Sequence, residues 1–502
     1  MQQTGPAVDG ASRRHRRWVQ LLLAMLLVAL VLGGAVPFVS GSGRAYLSYL
    51  VLAQTQDAHG ADLAADQSRA AGGRVVQEYP QIGAVLAYAT GGFAERVRTR
   101  PGIAAAGATR TAAVPGPPGP LSGADFRHGS GSADAADDST LSDPAEQADW
   151  NLAMIGAAGP VAPTTALLRT AAAPQAAPEN AQPAAGGLGR VLVAVLDSGV
   201  DDTHPDLRAA VDPAASASCA DGRPDARYGS WRPDEGVSES GHGTHVAGIV
   251  GAARDGHGVT GVAPGVRIAA VRLLGPLGQY YAENIVCGML WAADHGARAI
   301  NDSYFADPWK YNCPEDPDQA ALAQAVGRAV AYAQRRGAVV VASAGNDSQD
   351  LEGTRVDQRS PNDRTSGPAQ DRVLGTECIR LPGELPGVVT VSAVDRSGEP
   401  AGYTNYGNGR VTLAAPGGDP DSGVAGAIVS DWPGGRYAAL AGTSMAAAHV
   451  TGAVAVVAAE HPDWGPGRIA DALTEAAAAN CPLGPGGCAD RRYYGAGVLA
   501  LP

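Results

Sequence analysis

A serine set between a glycine turn and an alanine-rich helical run is a place to mount a nucleophile, and Ala441-Gly442-Thr443-Ser444-Met445-Ala446 is such a segment. A serine hydroxyl is a weak nucleophile at neutral pH. Ser444 therefore needs a base, and a neutral imidazole can take its proton and later return it to a leaving amine. Two further blocks supply the missing parts. Gly241-His242-Gly243-Thr244-His245-Val246-Ala247-Gly248 puts a histidine at a helix start, and Val193-Ala194-Val195-Leu196-Asp197-Ser198-Gly199 puts an aspartate at the end of a buried strand. There Asp197 can hold the imidazole tautomer and stabilise its charged form without taking the proton. His242 is the base in this reading, and His245, one turn inward, is structural. Charge developing on an attacked carbonyl oxygen calls for donors fixed in advance. Asn346, in Ala342-Ser343-Ala344-Gly345-Asn346-Asp347 after an apolar run, and the Ser444 N–H at a helix start meet that need. Singly, each residue has a plainer reading: Asp197 a strand-end cap, His242 a surface helix start, Ser444 an N-cap, Asn346 a turn residue. Together, in the order Asp, His, Ser, they point to nucleophilic acyl transfer.

As extended motifs these blocks closely resemble those of the subtilases, the subtilisin-like serine endopeptidases, from about Asp197 to the helix after Ser444. The resemblance implies a triad of Asp197, His242 and Ser444 with Asn346 in the oxyanion hole, a protein or peptide substrate, and no cofactor for the chemistry. An α/β-hydrolase does not fit, because Gly442-x-Ser444-x-Ala446 lacks the final glycine and the histidine precedes the serine. The resemblance also implies that Ser303, Tyr304, Phe305 and Gly345 bind substrate. Where the family reads Ser-x-Gly, this chain has Ser303-Tyr304-Phe305 followed by Ala306-Asp307-Pro308-Trp309, which predicts a narrower cleft. Asn301 to Trp309, with Asn312-Cys313-Pro314 behind it, loosely resembles exported actinobacterial subtilases and relatives that process leader peptides. Ala448 replaces a usual proline in the serine helix, with no expected loss because alanine is a good helix former. Asp206 and Asp255 match positions that donate oxygens in calcium-binding subtilases, so a structural calcium is one reading. A solvated turn is the other, since Arg254 and His257 fit poorly around a hard cation.

The elements that must position these residues follow from hydrophobic periodicity. Val191 to Leu196, Val266 to Leu274, Ala299 to Asn301, Ala338 to Ala342, Val388 to Val394 and Val411 to Ala414 read as strands. His242 to Ala253, Tyr281 to His295, Gln319 to Arg336 and Ser444 to Glu460 read as helices between them. The alternation predicts an α/β fold, a mostly parallel sheet with helices on both faces, preceded by a small α/β domain. In such sheets function gathers at the carboxyl ends of the strands, where Asp197 and Asn301 to Ser303 fall.

The 502 residues carry a formal net charge of −13, which repels phosphate backbones and anionic lipid and excludes nucleic acid as a partner. Arg13-Arg14-His15-Arg16-Arg17 followed by uncharged Trp18 to Gly43 reads as an export signal over residues 1–43. It is either cleaved or retained as an anchor, and the rest lies outside the cytoplasm, secreted or held at the membrane only by this segment. Residues 70–111, with short strands in Arg74–Tyr88 and a helical stretch near Phe93–Val97, resemble the inhibitory propeptide of subtilases. The rival reading is a small domain with no inhibitory role. Residues 112–146, rich in Pro, Gly, Ser, Ala and Asp, form a linker open to a maturation cut, and 147–502 form the catalytic domain, with a second low-complexity insert over 162–189. All six cysteines fall there, which favours disulfides in an exported chain; Cys481 with Cys488 and Cys313 with Cys378 are the expected pairs. The sequence thus predicts an exported zymogen of a serine endopeptidase that its own propeptide inhibits. Two rivals are a protease-like binding protein with an occluded site and a processing protease dedicated to one peptide.

Overall fold

Short apolar, β-branched runs are buried on both sides only when helices cover both faces of a parallel sheet, and this chain builds that layer order. The structure is a computed structural model that describes residues 46–114, 150–157, 187–237, 240–363 and 371–502. The apolar segment Trp18–Gly43, nearly all of the 112–146 linker and most of the 162–189 insert lie outside the described residues. The described elements belong to one unit, Tyr46–Pro502.

A first sheet contains β1 (Tyr46–Ala53), β2 (Arg74–Tyr79), β3 (Ala84–Thr90) and β4 (Ile103–Ala108), in the order β2-β3-β1-β4. The expected strand pair and the helix Phe93–Arg98 are present. The unit nevertheless begins earlier than residue 70, with β1 and the helix Ala58–Ala70, whose N-cap Asp57 accepts from Gly60 N.

The main sheet has seven strands: β5 (Leu192–Asp197), β6 (Ala217–Ser218), β7 (Arg267–Arg272), β8 (Ala299–Asp302), β9 (Val339–Ser343), β12 (Val389–Val394) and β13 (Leu413–Pro416), in the order β13-β12-β9-β8-β5-β7-β6. All its neighbours pair parallel. Two antiparallel ribbons complete the strands, β10 (Arg355–Asp357) with β11 (Arg372–Leu374), and β14 (Ile428–Trp432) with β15 (Arg436–Leu440). Period-two alternation divides β5 between two cores. Val193 and Val195 pack with the helices His242–Gly251 and Thr443–Glu460, whereas Leu192, Ala194 and Leu196 pack with Ala282–Asp294 and Pro317–Arg335. The chain visits β7 on one side of β5 and β8 on the other, so β5 is where the strand order reverses. Crevices form at the carboxyl ends of strands at such a point.

The helix Thr443–Glu460 is apolar on nearly all sides because it runs through the core. Among the described residues it alone is long and apolar enough to cross a membrane, yet it is 83% buried inside the protein. Three disulfides form. Cys313–Cys378 and Cys481–Cys488 are the expected pairs, and Cys219–Cys287 ties the turn after β6 to the helix Ala282–Asp294.

The first sheet rests on the helices Ala282–Asp294 and Pro317–Arg335. Leu50, Leu52, Tyr79, Ile82 and Leu86 share one core with Ile285, Leu322 and Val326. Polar contacts fix its register there: Arg110 Nε lies 2.7 Å from the fully buried Glu283 Oε1, which also accepts from Ser48 Oγ at 3.1 Å. Removing one partner of such a pair leaves the other charge buried alone. Glu283→Ala, made in a Ser444→Ala background, is expected to destabilise the chain by about 3–5 kcal/mol in chemical unfolding. An unchanged unfolding midpoint would show that this contact does not hold the first sheet in place.

Candidate active site

Asp197 ends β5 with its side chain fully buried. Its Oδ1 accepts from Ser198 N at 2.6 Å, lies 2.8 Å from His242 Nδ1, and accepts from Tyr280 Oη at 3.3 Å. Since the carboxylate accepts, the proton on Nδ1 points to Asp197 and Nε2 is left as the basic nitrogen. His242 opens the helix His242–Gly251 and is partly exposed. Its neighbour Gly243 must be glycine, because a Cβ there would stand 2.4 Å from Gly199 O and 2.9 Å from Asp197 Cβ. His245 lies in the core, where Nε2 bonds the carbonyls of Ile428 and Ala438 at 3.1 Å each. Burial, reinforced by His242, pushes its imidazole down to about 3, so it stays neutral and structural.

Ser444 stands in the first turn of its helix, where backbone N–H groups have no intrahelical acceptor. Its Oγ donates to Ser303 O at 3.4 Å, and Ser303 Oγ donates back to Ser444 O at 3.2 Å. Asn301 Nδ2 donates to Ser303 Oγ and Asn301 Oδ1 accepts from Thr451 Oγ1, so the end of β8 and the serine helix are stitched together. The exposed Asn346 lies in the loop after β9. Its Oδ1 accepts from Thr443 N at 3.0 Å and from Thr443 Oγ1 at 2.7 Å. These bonds orient the amide and leave the Nδ2 hydrogens to donate elsewhere. A Cβ at Gly442 would come within 3.2 Å of that Nδ2. Gly345 has φ +104° and a Cβ there would meet Asn405 Nδ2 at 2.5 Å, which is why only glycine fits beside Asn346.

The structure therefore brings Asp197 and His242 into contact, and Ser444, Ser303, Gly345 and Asn346 into one bonded network. It places Tyr304 differently from the expected cleft wall. Tyr304 is buried, bonded through its hydroxyl to Asp302, and stacked on Tyr280 with centroids 4.9 Å apart. Phe305 is half-buried under the Arg380 guanidinium, 5.0 Å from the ring. Asp206 and Asp255 differ in exposure. Asp206 is buried beside His204 and Asp431, whereas Asp255 is more than half exposed and faces His257 at 3.6 Å. Asp206 Oδ2 accepts from Val259 N and Tyr437 Oη, which sets Asp206 against the loop that carries Asp255.

Two groups escape sequence reasoning. Asn405 bonds Ala344 O and Gly345 O and accepts from Asp347 N and Gln349 N, so it shapes the Asn346 loop from a distant segment. Asp302 lies buried near Asp197, and burial, with Asp197 adding to it against the Tyr304 bond, raises its carboxyl to about 7. An acid at the end of an apolar strand was the available signal for it.

Comparisons with known proteins show the family and the fold. The profile of the subtilase family matches residues 189–497. The chain belongs to the subtilase family. Among relatives, Subtilisin Savinase of Lederbergia lenta is 32% identical over 287 residues, which covers 57% of this chain and 83% of the relative. Fervidolysin of Fervidobacterium pennivorans is 33% identical over 310 residues, covering 57% of this chain but 37% of the relative. M-protease of Shouchella clausii (strain KSM-K16) is 31% identical over 309 residues, covering 62% of each. The chain thus spans less than two thirds of the length of the latter two subtilases. Among solved structures, the epidermin leader peptide processing serine protease of Staphylococcus aureus superposes with a TM-score of 0.61 at 19% identity, over 91% of this chain and 97% of that one. The fervidolysin structure gives 0.57 at 24% identity, over 92% of this chain and 61% of that one. These likenesses show the subtilisin-like fold.

Asp302 gives a pH signature. Its folded pKa lies above the ordinary 3.8, so the stability it contributes is complete below that value and is lost as pH rises toward about 7. Asp307, raised likewise by burial, adds to the same slope. Asp302→Asn keeps an acceptor for Tyr304 and removes part of the loss. Its melting temperature is expected to fall less between about pH 4 and pH 7 than the parent's; equal slopes would contradict a neutral buried Asp302.

Proposed function

We propose that this subtilase is an exported serine endopeptidase made as a zymogen, hydrolysing peptide bonds through an acyl-enzyme on Ser444. The observation that carries the reading is the 2.8 Å contact of His242 Nδ1 with the buried Asp197 at the strand reversal, on the strand that pairs with β8, whose next residue Ser303 bonds Ser444. His242 Nε2 accepts the Ser444 proton as Oγ attacks the scissile carbonyl carbon. Asn346 Nδ2 and the Ser444 N–H donate to the oxyanion, and His242 returns the proton to the leaving amine. Water then repeats the sequence on the ester and releases the acid product. None of these steps calls for a cofactor.

The first sheet is the inhibitor in this reading. After β4, Thr111 N donates to Asp363 Oδ2 at 2.8 Å and Ala112 N to the same oxygen at 3.1 Å. Asp363 also accepts from Tyr281 Oη at 3.5 Å, and Arg110 lies over the Tyr281 ring, 4.0 Å from its centroid. Tyr280, next in the chain, reaches Asp197. The segment leaving the first sheet is therefore anchored beside the residues that line the triad. Export is supported by the basic and apolar start of the sequence and by the three disulfides.

Expression of the chain beside its Ser444→Ala variant tests this. Only the parent is expected to shorten to a start between Ala112 and Trp150 and to take a fluorophosphonate label. If both stay full length and unlabelled while folded, the occluded reading replaces this one. In the matured parent, Asn346→Ala is expected to slow turnover of a peptide substrate by about a hundredfold to a thousandfold, a range taken from a subtilisin and carried over within the family.

A further inference from the structure

The turn after β5 and the β14–β15 ribbon meet at a second cluster of polar side chains that the triad does not use. His204, Asp206 and Asp431 are all buried, and one ligand atom from each lies within 4.8 Å of the others. Among the described residues no other group donates to either oxygen of Asp431 or to Oδ1 of Asp206, the two carboxyls lie within hydrogen-bond reach of each other, and neither acid pairs with an arginine or lysine. Burying two adjacent carboxylates in this way is unfavourable unless a proton or a cation joins them.

The histidine distinguishes the two remedies. His204 Nε2 lies 2.9 Å from Arg436 O, and since a carbonyl only accepts, Nε2 carries the proton. Nδ1 is then a lone pair on the side of the acids, 3.6 Å from Asp431 Oδ1 and receiving one long 3.3 Å bond from Asp206 N. A ring N–H given to a backbone carbonyl while the other nitrogen faces carboxylates is the usual arrangement of a metal-ligating histidine. Donors bound at about 2.0–2.2 Å around a tetrahedral ion lie roughly 3.3–3.6 Å apart, which the His204–Asp431 pair already matches.

We propose that His204 Nδ1, Asp206 Oδ1 and Asp431 bind a divalent transition-metal ion of the zinc class. One nitrogen with carboxylates suits zinc better than calcium, which takes six to eight oxygens. Two carboxylates balance the ion's charge. The site joins the turn that follows Asp197 to the ribbon that precedes Ser444, so the metal braces two arms of the triad.

The test uses the full chain carrying Ser444→Ala, which cannot digest itself. Purified protein is exposed to zinc, dialysed into metal-free buffer and assayed for metal, and its melting temperature is read with chelator, zinc or calcium. The expected result is about one zinc per chain and a melting temperature that chelator lowers and zinc, but not calcium, restores. His204→Gln and Asp431→Asn are expected to weaken zinc binding at least tenfold, and Asp255→Asn to leave it unchanged. Failure of the parent to retain zinc or to respond to it would overturn the proposal, whatever the variants do, and leave a proton shared by the two acids. Calcium in place of zinc, or equal loss in Asp255→Asn, would overturn it as well.

Discussion

A carboxylate buried at the end of a strand, without a lysine or arginine beside it among the described residues, has to be held by donors fixed in the fold. Asp197 is that carboxylate. It is held by Ser198 N, Tyr280 Oη and His242 Nδ1, each delivered by a different part of the chain. The rest of the structure is organised around this requirement. The parallel sheet puts the end of β5 at the reversal of strand order, and the two cores on either face of β5 keep water from its backbone.

Close approach is the second condition, and small residues provide it. Gly243 lets the histidine helix lie against Gly199, and Gly452 lets the serine helix lie against Val262, where a Cβ would stand 2.6 Å from the valine Cβ. The short-range geometry of Ser444 and Asn346 then depends on bonds between segments far apart in sequence. Ser303 and Thr451 reach the serine helix from β8 and from within it, while Asn405 shapes the loop after β9. Buried acids recur at this end of the sheet, and Asp302 and Asp307 are both pushed above the usual carboxylate range by burial.

Six of the seven strands of the main sheet, all but the two-residue β6, and four of the long helices were legible because each apolar run is short, bounded by glycine or polar residues, and covered on both faces. Asp197, His242 and Ser444 stood out as candidates because each sits in an extended local motif. What depends on strand order was not legible. Asp302 and Tyr280 join Asp197 only because β8 and the loop after β7 flank β5. Tyr304 looked like a cleft residue from its position after Ser303, but its ring turns inward to stack on Tyr280. β1 was missed because Tyr46–Ala53 follows soon after a long apolar segment and merges with it in composition. Asp206 and Asp255 were named together by resemblance to calcium-binding positions, whereas Asp431, which folding sets beside Asp206 from a ribbon far along the chain, was not.

The central claim is that the Asp197 carboxylate sets the tautomer and charge of His242. Asp197→Asn changes one atom type and keeps the volume, so it tests that claim with little else disturbed. The rate of fluorophosphonate labelling of Ser444 at neutral pH is the direct readout. The account predicts a fall of about 10⁴-fold with the melting temperature nearly unchanged. Labelling within tenfold of the parent would mean that His242 acts without Asp197, and the account would be wrong at its base.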